Sequence, residues 1–206
     1  GPKRTINYVL AMIVGFFLPF LYVLIKALAD TNINTTQEII NLTKIPIIGV
    51  IGKKNTENNL SGFEKPKSPL AESFRAVRSS LQFLSKKHNV EGTKILMLTS
   101  SISGEGKSFC SINLATVFAL SDKKTVIVSL DLRKPKIFGD FKIDNNFGVV
   151  NYLVGQKTVD EIIYKSHIPN LDIITSGPIP PNPSELLMSD AMGELIADLK
   201  TKYDYI

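Results

Sequence analysis

The sequence predicts an α/β fold, in which a parallel sheet is flanked by helices and preceded by one membrane-spanning helix. Two apolar segments, 94–99 and 125–130, have the aliphatic composition of buried strands. The segment between them, 109–120, has helical apolar periodicity. Strand, helix and strand suit one right-handed βαβ unit. The third observation is an uncharged run of 21 residues, 5–25, near the start of the chain.

The uncharged run is long enough to cross a bilayer. At a rise of about 1.5 Å per residue it forms about 31 Å of helix, and membrane helices tolerate a kink such as Pro19 would cause. A cleaved signal peptide is the main alternative, because Lys3 and Arg4 precede the run and 27–29 resembles a cleavage site. The run is longer than a typical signal core, and it also exceeds most buried core helices.

A linker and an amphipathic helix follow the membrane segment. Residues 1–29 are assigned to the membrane helix and its flanks, 30–69 to a cytoplasmic linker rich in polar residues, proline and glycine, and 70–206 to the folded domain. Apolar residues recur at helical spacing from Leu70 to Leu84. The opposite face carries Glu72, Arg75 and Arg78, and Glu72 and Arg75 have the i, i+3 spacing of an ion pair. By charge pattern alone this face is a solvated surface.

The segment 101–108, Ser-Ile-Ser-Gly-Glu-Gly-Lys-Ser, is the strongest chemical signal in the chain. A glycine-bearing turn that ends in Gly-Lys-Ser between a strand and a helix is typical of a phosphate-binding loop, although Ser101 stands where the pattern has glycine. We expect Lys107 to reach the phosphates and Ser108 to ligate Mg²⁺. The residues predicted to bind ATP are Ser103, Gly104, Glu105, Gly106, Lys107, Ser108 and Phe109. The fold class is therefore P-loop NTPase-like.

Asp131 follows the second predicted strand. Parallel strands place their carboxyl ends at one sheet edge, so Asp131 is expected beside the phosphate loop. A carboxylate there can bind Mg²⁺ or accept a proton from a substrate hydroxyl. Lys107 and Asp131 are the predicted catalytic residues, and Ser108 and Asp131 the predicted metal ligands. Alone, Asp131 would be interpreted as a turn or cap residue.

Composition excludes several classes of site. The single cysteine, Cys110, excludes an internal disulfide framework and a cysteine metal cluster. The two histidines, His88 and His167, lack metal-ligand spacing. The net charge of +5 is spread over the chain without a basic run among aromatic residues, so no nucleic-acid partner is expected.

The remaining sequence predicts further α/β structure. Residues 147–153 and 159–164 are helical by pattern, and 171–175 is a predicted strand. Asn182 can cap a helix that has Pro183 at its first position and Glu185 at its third.

Four segments resemble the bacterial tyrosine kinases (BY-kinases) that are joined to polysaccharide chain-length regulators. Segment 68–78 resembles their E-x-x-R-x-x-R helix, and 99–108 their Walker A motif, which often has Ala or Ser at the position of Ser101. Segment 129–135 resembles their Walker A′ motif and 177–187 their G-P-x-P-P-N-P-x-E-L-L stretch. The four occur in the family's order, and the preceding membrane helix matches its architecture.

The resemblance implies an ATP- and Mg-dependent, autophosphorylating protein-tyrosine kinase that regulates capsule or exopolysaccharide synthesis and export. It implies a homo-oligomeric ring with Glu72, Arg75 and Arg78 at the subunit interface, protein tyrosine substrates, and contact with the polysaccharide export machinery. The expected location is the bacterial inner membrane, with the kinase domain in the cytoplasm.

Two departures from the family keep alternatives open. Ser129 occupies the position of the first Walker A′ aspartate, and the strand that bears the Walker B aspartate does not follow Ile206. We therefore expect an incomplete sheet, little activity from these 206 residues by themselves, and Tyr203 and Tyr205 as pre-strand residues rather than phosphoacceptors. One alternative is a kinase-inactive nucleotide-binding scaffold for chain-length control. The other is a partitioning-type membrane ATPase, which the lack of a lysine in 100–103 disfavours.

Overall fold

The computed structural model describes residues 4–30, 32–33, 35–52, 59–60, 65–102, 104–135 and 137–206. It divides into two compact units, Gly1–Ile47 and Ile48–Ile206.

In the part of the first unit that the structure describes, there are two helices. Helix α1 spans Arg4–Ala29, contains Pro19 and buries none of its residues. Its 26 residues, with a mean hydropathy of 2.5 over an 18-residue stretch, are long and apolar enough to cross a membrane. Helix α2, Thr36–Leu42, was not predicted. Its N-cap is Thr35, whose side chain accepts a hydrogen bond from the Glu38 N–H.

The second unit is an α/β domain, which confirms the predicted fold class. Its sheet has the order β1-β3-β2, in which β1 and β3 are parallel and β2 is antiparallel to β3. Within the described residues, the elements of this unit in chain order are α3 Pro69–Lys87, α4 Lys107–Ala119, β1 Thr125–Val128, α5 Ile137–Asp140, α6 Val149–Leu153, α7 Val159–Ile162, β2 Ile163–Lys165, β3 Leu171–Ile174, α8 Pro183–Leu187 and α9 Asp190–Lys202.

Two predicted elements differ from the structure. The helix predicted over 159–164 ends at Ile162, because Ile163 pairs with Ile174 and turns the following residues into β2. Only the first part of the strand predicted over 94–99 is present, as a parallel bridge between Lys94 and Tyr205. Its N–H and C=O groups bond to segment 204–206 as far as Leu96, whose N–H lies 2.8 Å from the Ile206 carbonyl oxygen.

Helix α4 is the centre of the core. All eight residues from Ile112 to Ala119 are buried, so the helix has no solvated stripe over this length. One side packs Ile112, Ala115 and Ala119 against residues of the sheet such as Ile127. The other side packs Leu114, Val117 and Phe118 against α3 and against Tyr205, which stacks on Phe118 at 3.9 Å between ring centroids. The later part of α4, from Ile112 to Ala119, is therefore packed on two sides.

Candidate nucleotide site

The phosphate loop meets α4 through two glycines with left-handed backbone angles. Gly104 has φ +97° and Gly106 has φ +96°, values that residues with a Cβ rarely adopt. Gly106 is the N-cap of α4, and its carbonyl accepts the Cys110 N–H at 2.9 Å. The first N–H groups of α4 have no partner within the helix, so they are available to an anion.

Lys107, the first residue of α4, is half-buried at this loop. Its Nζ donates to the Ser100 hydroxyl oxygen at 2.6 Å, and that hydroxyl donates in turn to the Ile102 carbonyl at 2.9 Å. One of the three ammonium donors is therefore used to hold the side chain against the loop. Sequence patterns did not single out Ser100, since a hydroxyl just before the motif carries no signal of its own.

The other predicted loop residues are placed as follows. Ser108 is half-buried at the second position of α4, and the exposed Glu105 carboxylate accepts the Ile102 N–H at 3.2 Å. Phe109 contacts Phe74 of α3 edge-on, with 5.7 Å between ring centroids. Ser103 lies outside the described residues.

Asp131 lies at the same edge of the sheet as the loop. Tyr205 forms parallel bridges with both Lys94 and Thr125, so 94–96 and β1 run in the same direction. The phosphate loop and the segment after β1 therefore both follow carboxyl ends. The Asp131 Oδ1 accepts the N–H groups of Arg133 at 3.3 Å and Lys134 at 3.0 Å, which fixes an exposed turn.

Ser129 is buried, whereas Asp131 is exposed. Its backbone N–H donates to the Ile174 carbonyl at 2.9 Å and so extends the β1–β3 pairing by one residue. Its exposed fraction is 4%. A carboxylate at this position would need a cation or several hydrogen-bond donors to be stable, whereas a serine is tolerated without one.

The donor set fits a magnesium–nucleotide complex. Mg²⁺ prefers oxygen ligands and keeps several waters, so one hydroxyl and one carboxylate together with phosphate oxygens are sufficient. Ser108 and Asp131 offer these two oxygens, and Lys107 with the loop N–H groups offers positive charge to phosphates. Within the described ranges, no group of three or more His, Cys, Asp or Glu residues forms a cage for a metal held by protein alone.

The charged face of α3 has both exposed and internal contacts. Glu72 and Arg75 form the predicted i, i+3 ion pair at 2.6 Å, and Arg75 also donates to the Pro66 carbonyl at 2.5 Å. Arg78 instead donates from Nη1 to the Val117 carbonyl of α4 at 2.8 Å. The structure thus separates Arg78, which contacts the helix of the phosphate loop, from the exposed Glu72–Arg75 pair.

Comparison with known proteins identifies the family. An AAA domain model matches residues 93–206. The tyrosine-protein kinase YwqD of Bacillus subtilis is 37% identical over 150 residues, which cover 73% of this chain and 62% of YwqD. The chain belongs to the AAA domain family, among the bacterial tyrosine kinases.

Other relatives extend the match to the whole chain and to the fold. The tyrosine-protein kinase Etk of Escherichia coli K12 is 30% identical over an alignment that covers 100% of this chain and 31% of Etk. The Etk kinase domain superposes with a TM-score of 0.75 and 31% identity, covering 82% of this chain and 69% of that structure. The structure of the chimerical protein CapA2B2 superposes with a TM-score of 0.75 and 37% identity, covering 83% of this chain and 73% of that structure. This chain thus spans 62% of the length of YwqD and 31% of that of Etk.

Proposed function

We propose that the chain is the anchored, nucleotide-binding part of an autophosphorylating protein-tyrosine kinase that uses Mg-ATP. The observation that carries the proposal is the position of Lys107, which begins α4 directly after two left-handed glycines at the sheet edge that also bears Asp131. Membership of the bacterial tyrosine kinases supports the choice of a tyrosine hydroxyl as acceptor.

The residues of the site have complementary roles in this proposal. Phosphoryl transfer depends on positioning and on neutralising charge, which Lys107 and the N-terminus of α4 provide. Asp131 accepts the proton of the tyrosine hydroxyl or orients it. Ser108 and Asp131 hold Mg²⁺, which when bound neutralises charge on the phosphate oxygens.

The wider setting follows from the same family. We propose a homo-oligomeric ring in which Glu72, Arg75 and Arg78 contact the neighbouring subunit, and in which the tyrosines of one subunit are substrates of the next. The exposed Glu72–Arg75 pair is available for such contacts, since the Glu72 side chain is 71% exposed. Helix α1 would anchor the protein in the bacterial inner membrane with the kinase domain in the cytoplasm, beside the machinery that exports capsular or exopolysaccharide.

A kinase-inactive scaffold is the second candidate, and Ser129 favours it. A serine hydroxyl is a weak metal ligand and a poor base at neutral pH, and here it is buried. In that case nucleotide binding would regulate polysaccharide chain length without phosphoryl transfer. The two candidate functions share the same phosphate-binding residues. They differ in whether the site has enough acidic groups for phosphoryl transfer when position 129 is a serine.

Phosphotyrosine formation in the full-length protein separates the two candidates. We expect wild type incubated with Mg-ATP to gain phosphotyrosine, detected by antibody and mass spectrometry. Lys107→Met should lower the rate of phosphotyrosine formation at least about 100-fold, because a charge that stabilises the transition state is removed. Lys200→Met is the matched control, since it removes an exposed lysine of α9 and should keep wild-type labelling. Unlabelled wild type combined with labelled Ser129→Asp would refute the active kinase and support the scaffold.

A further inference from the structure

A buried asparagine lies on the helix of the phosphate loop. The exposed fraction of Asn113 is 0%. Its side-chain amide donates to the Phe109 carbonyl of α4 at 2.8 Å and to the Asn59 carbonyl of the linker at 2.6 Å. A buried amide is costly unless its donors are bonded, so the linker carbonyl stabilises Asn113 in the core.

The linker residues that reach Asn113 also contact the segment after Asp131. The Asn59 side-chain amide donates to the Asp140 carboxylate of α5 at 2.7 Å. Leu60 is buried in one cluster with Ile112, the neighbour of Asn113, and with Phe141, the neighbour of Asp140. The dipeptide Asn59–Leu60, here termed the strap, therefore joins the helix of the phosphate loop to the segment that follows the Asp131 turn.

The strap is in a position to influence the phosphate loop. Asn113 lies six residues after Lys107 on one continuous helix, about 9 Å along its axis. A packed helix moves as a rigid element, so a displacement at Asn113 is transmitted to Lys107 and to the N–H groups that face the phosphates. On the other side, Asp140 ends the short helix that follows the Asp131 turn.

We propose that Asn113 is a positioning residue for nucleotide binding, and that the strap couples the membrane-proximal linker to the site through it. The inference rests on the proposed function, because it assumes that the loop binds a nucleotide. Docking of the strap and binding of Mg-nucleotide then stabilise each other, and a change in the linker that withdraws Asn59 and Leu60 weakens nucleotide affinity.

Binding of fluorescent mant-ADP with Mg²⁺ to the full chain in detergent tests this coupling. Couplings between sites are commonly about 5–150-fold in affinity, so Asn113→Ala and Leu60→Ala should raise the Kd at least about fivefold. Asp140→Ala removes only the acceptor of the Asn59 amide and is the milder variant, expected to raise the Kd about two- to fivefold. Circular dichroism at the same temperature establishes that each variant is folded.

Thr116→Val is the matched control. Thr116 is buried in the same helix, and its hydroxyl donates to the Ile112 carbonyl at 2.7 Å, an acceptor that lies within α4 and not in the linker. We expect this variant to lose thermal stability as Asn113→Ala does and to keep the wild-type Kd within about twofold. Equal weakening in both variants would show a general stability effect and overturn the coupling, as would unchanged Kd values in all strap variants.

Amide hydrogen exchange gives a readout that distinguishes positioning from stability. In the folded Asn113→Ala protein, we expect the N–H groups of 104–108 to exchange faster in the presence of Mg-ADP, and Thr116→Val to leave them as in wild type. Lys107→Met reports on the proposed function itself. If wild type and Lys107→Met both fail to bind nucleotide, the proposed function is refuted, and the coupling with it. If wild type binds and the strap variants bind equally well, only the coupling is refuted.

Discussion

At the scale of single residues, a buried carboxylate lies on the central strand of the sheet. Asp172 of β3 has a side chain that is only 10% exposed, and its Oδ2 accepts from the Lys165 ammonium and from the Tyr203 hydroxyl. The Lys165 side chain is 81% exposed, so solvent weakens its contribution. The Tyr203 hydroxyl is therefore the better-shielded partner of the two.

Tyr203→Phe is predicted to destabilise the domain by about 1–2 kcal/mol, because it removes one donor from a buried carboxylate and keeps the ring in place. Tyr164→Phe is the matched control, since the Tyr164 hydroxyl donates to the Phe147 carbonyl at 3.1 Å in an exposed position. We expect it to cost less than about 0.5 kcal/mol. Urea unfolding measures both, and equal losses would contradict the role given to Asp172.

The same pair predicts a pH dependence. Burial first, then the hydrogen bond to Asp172 and the negative charges of Asp172 and Asp160, raise the pKa of Tyr203 above its ordinary value. The unfolded phenol loses its proton near its usual pKa of about 10, while the folded one keeps it. This contribution to stability is thus complete below pH ~10 and is lost as the pH rises toward the folded pKa. Tyr203→Phe should flatten the fall in unfolding free energy above pH ~10, and an unchanged slope would contradict the assignment.

At the scale of elements, α3 depends on a local cap. Ser68 precedes Pro69, and its hydroxyl oxygen accepts the Ala71 N–H at 3.1 Å. Proline at the first position suits a helix start because its missing N–H would have no helical partner. The cap fixes where the helix begins, and with it the position of Glu72 in the first turn.

Ser68→Ala is predicted to lower the unfolding free energy by about 1 kcal/mol, since an N–H of the first turn loses its acceptor. Ser79→Ala, the same substitution at an exposed position inside α3, should instead raise it by a few tenths, roughly 0.3–0.5 kcal/mol, through helix propensity. Guanidinium unfolding compares the two. The same sign for both would show that the cap does not act as described.

How far the sequence predicts each element depends on whether its cause is local. Helices α3 and α4 begin and end within three residues of their predicted bounds, because apolar spacing and caps are contained in the segment itself. Residues 163–165 become a strand only through pairing with β3, a contact that local periodicity does not contain. The short helix α2 escaped prediction within a polar segment.

The candidate site divides in the same way. Lys107 and its glycines are identified by a motif, since phosphate binding requires those residue types in that order. The roles of Ser100 and Asn59 come from hydrogen bonds that form only in the folded chain, to Lys107 and to Asn113. No spacing in the sequence predicts these contacts.

At the scale of the whole molecule, the folded unit begins earlier than the apolar periodicity of α3. The second unit starts at Ile48, within the segment 30–69 that was predicted as linker. Ile51 packs against the cluster of Phe74 and Phe118, and Leu60 is 5% exposed in the cluster of Ile112. The last part of the linker therefore contributes to two sides of the core around α4.

Truncation measures this contribution. A fragment of residues 48–206 should keep the unfolding free energy of the second unit, because it retains that whole compact unit. A fragment of 70–206 should be less stable by about 4 kcal/mol, of which burial of Leu60 supplies about 2, the Asn59 hydrogen bonds about 1 and the Ser68 cap about 1. Leu60→Ala in the longer fragment should reproduce about half of that loss, about 2 kcal/mol. Equal stability of the two fragments would mean that residues 48–69 only tether the domain; a large difference would make them part of it, joined through Leu60 to the helix of the phosphate loop.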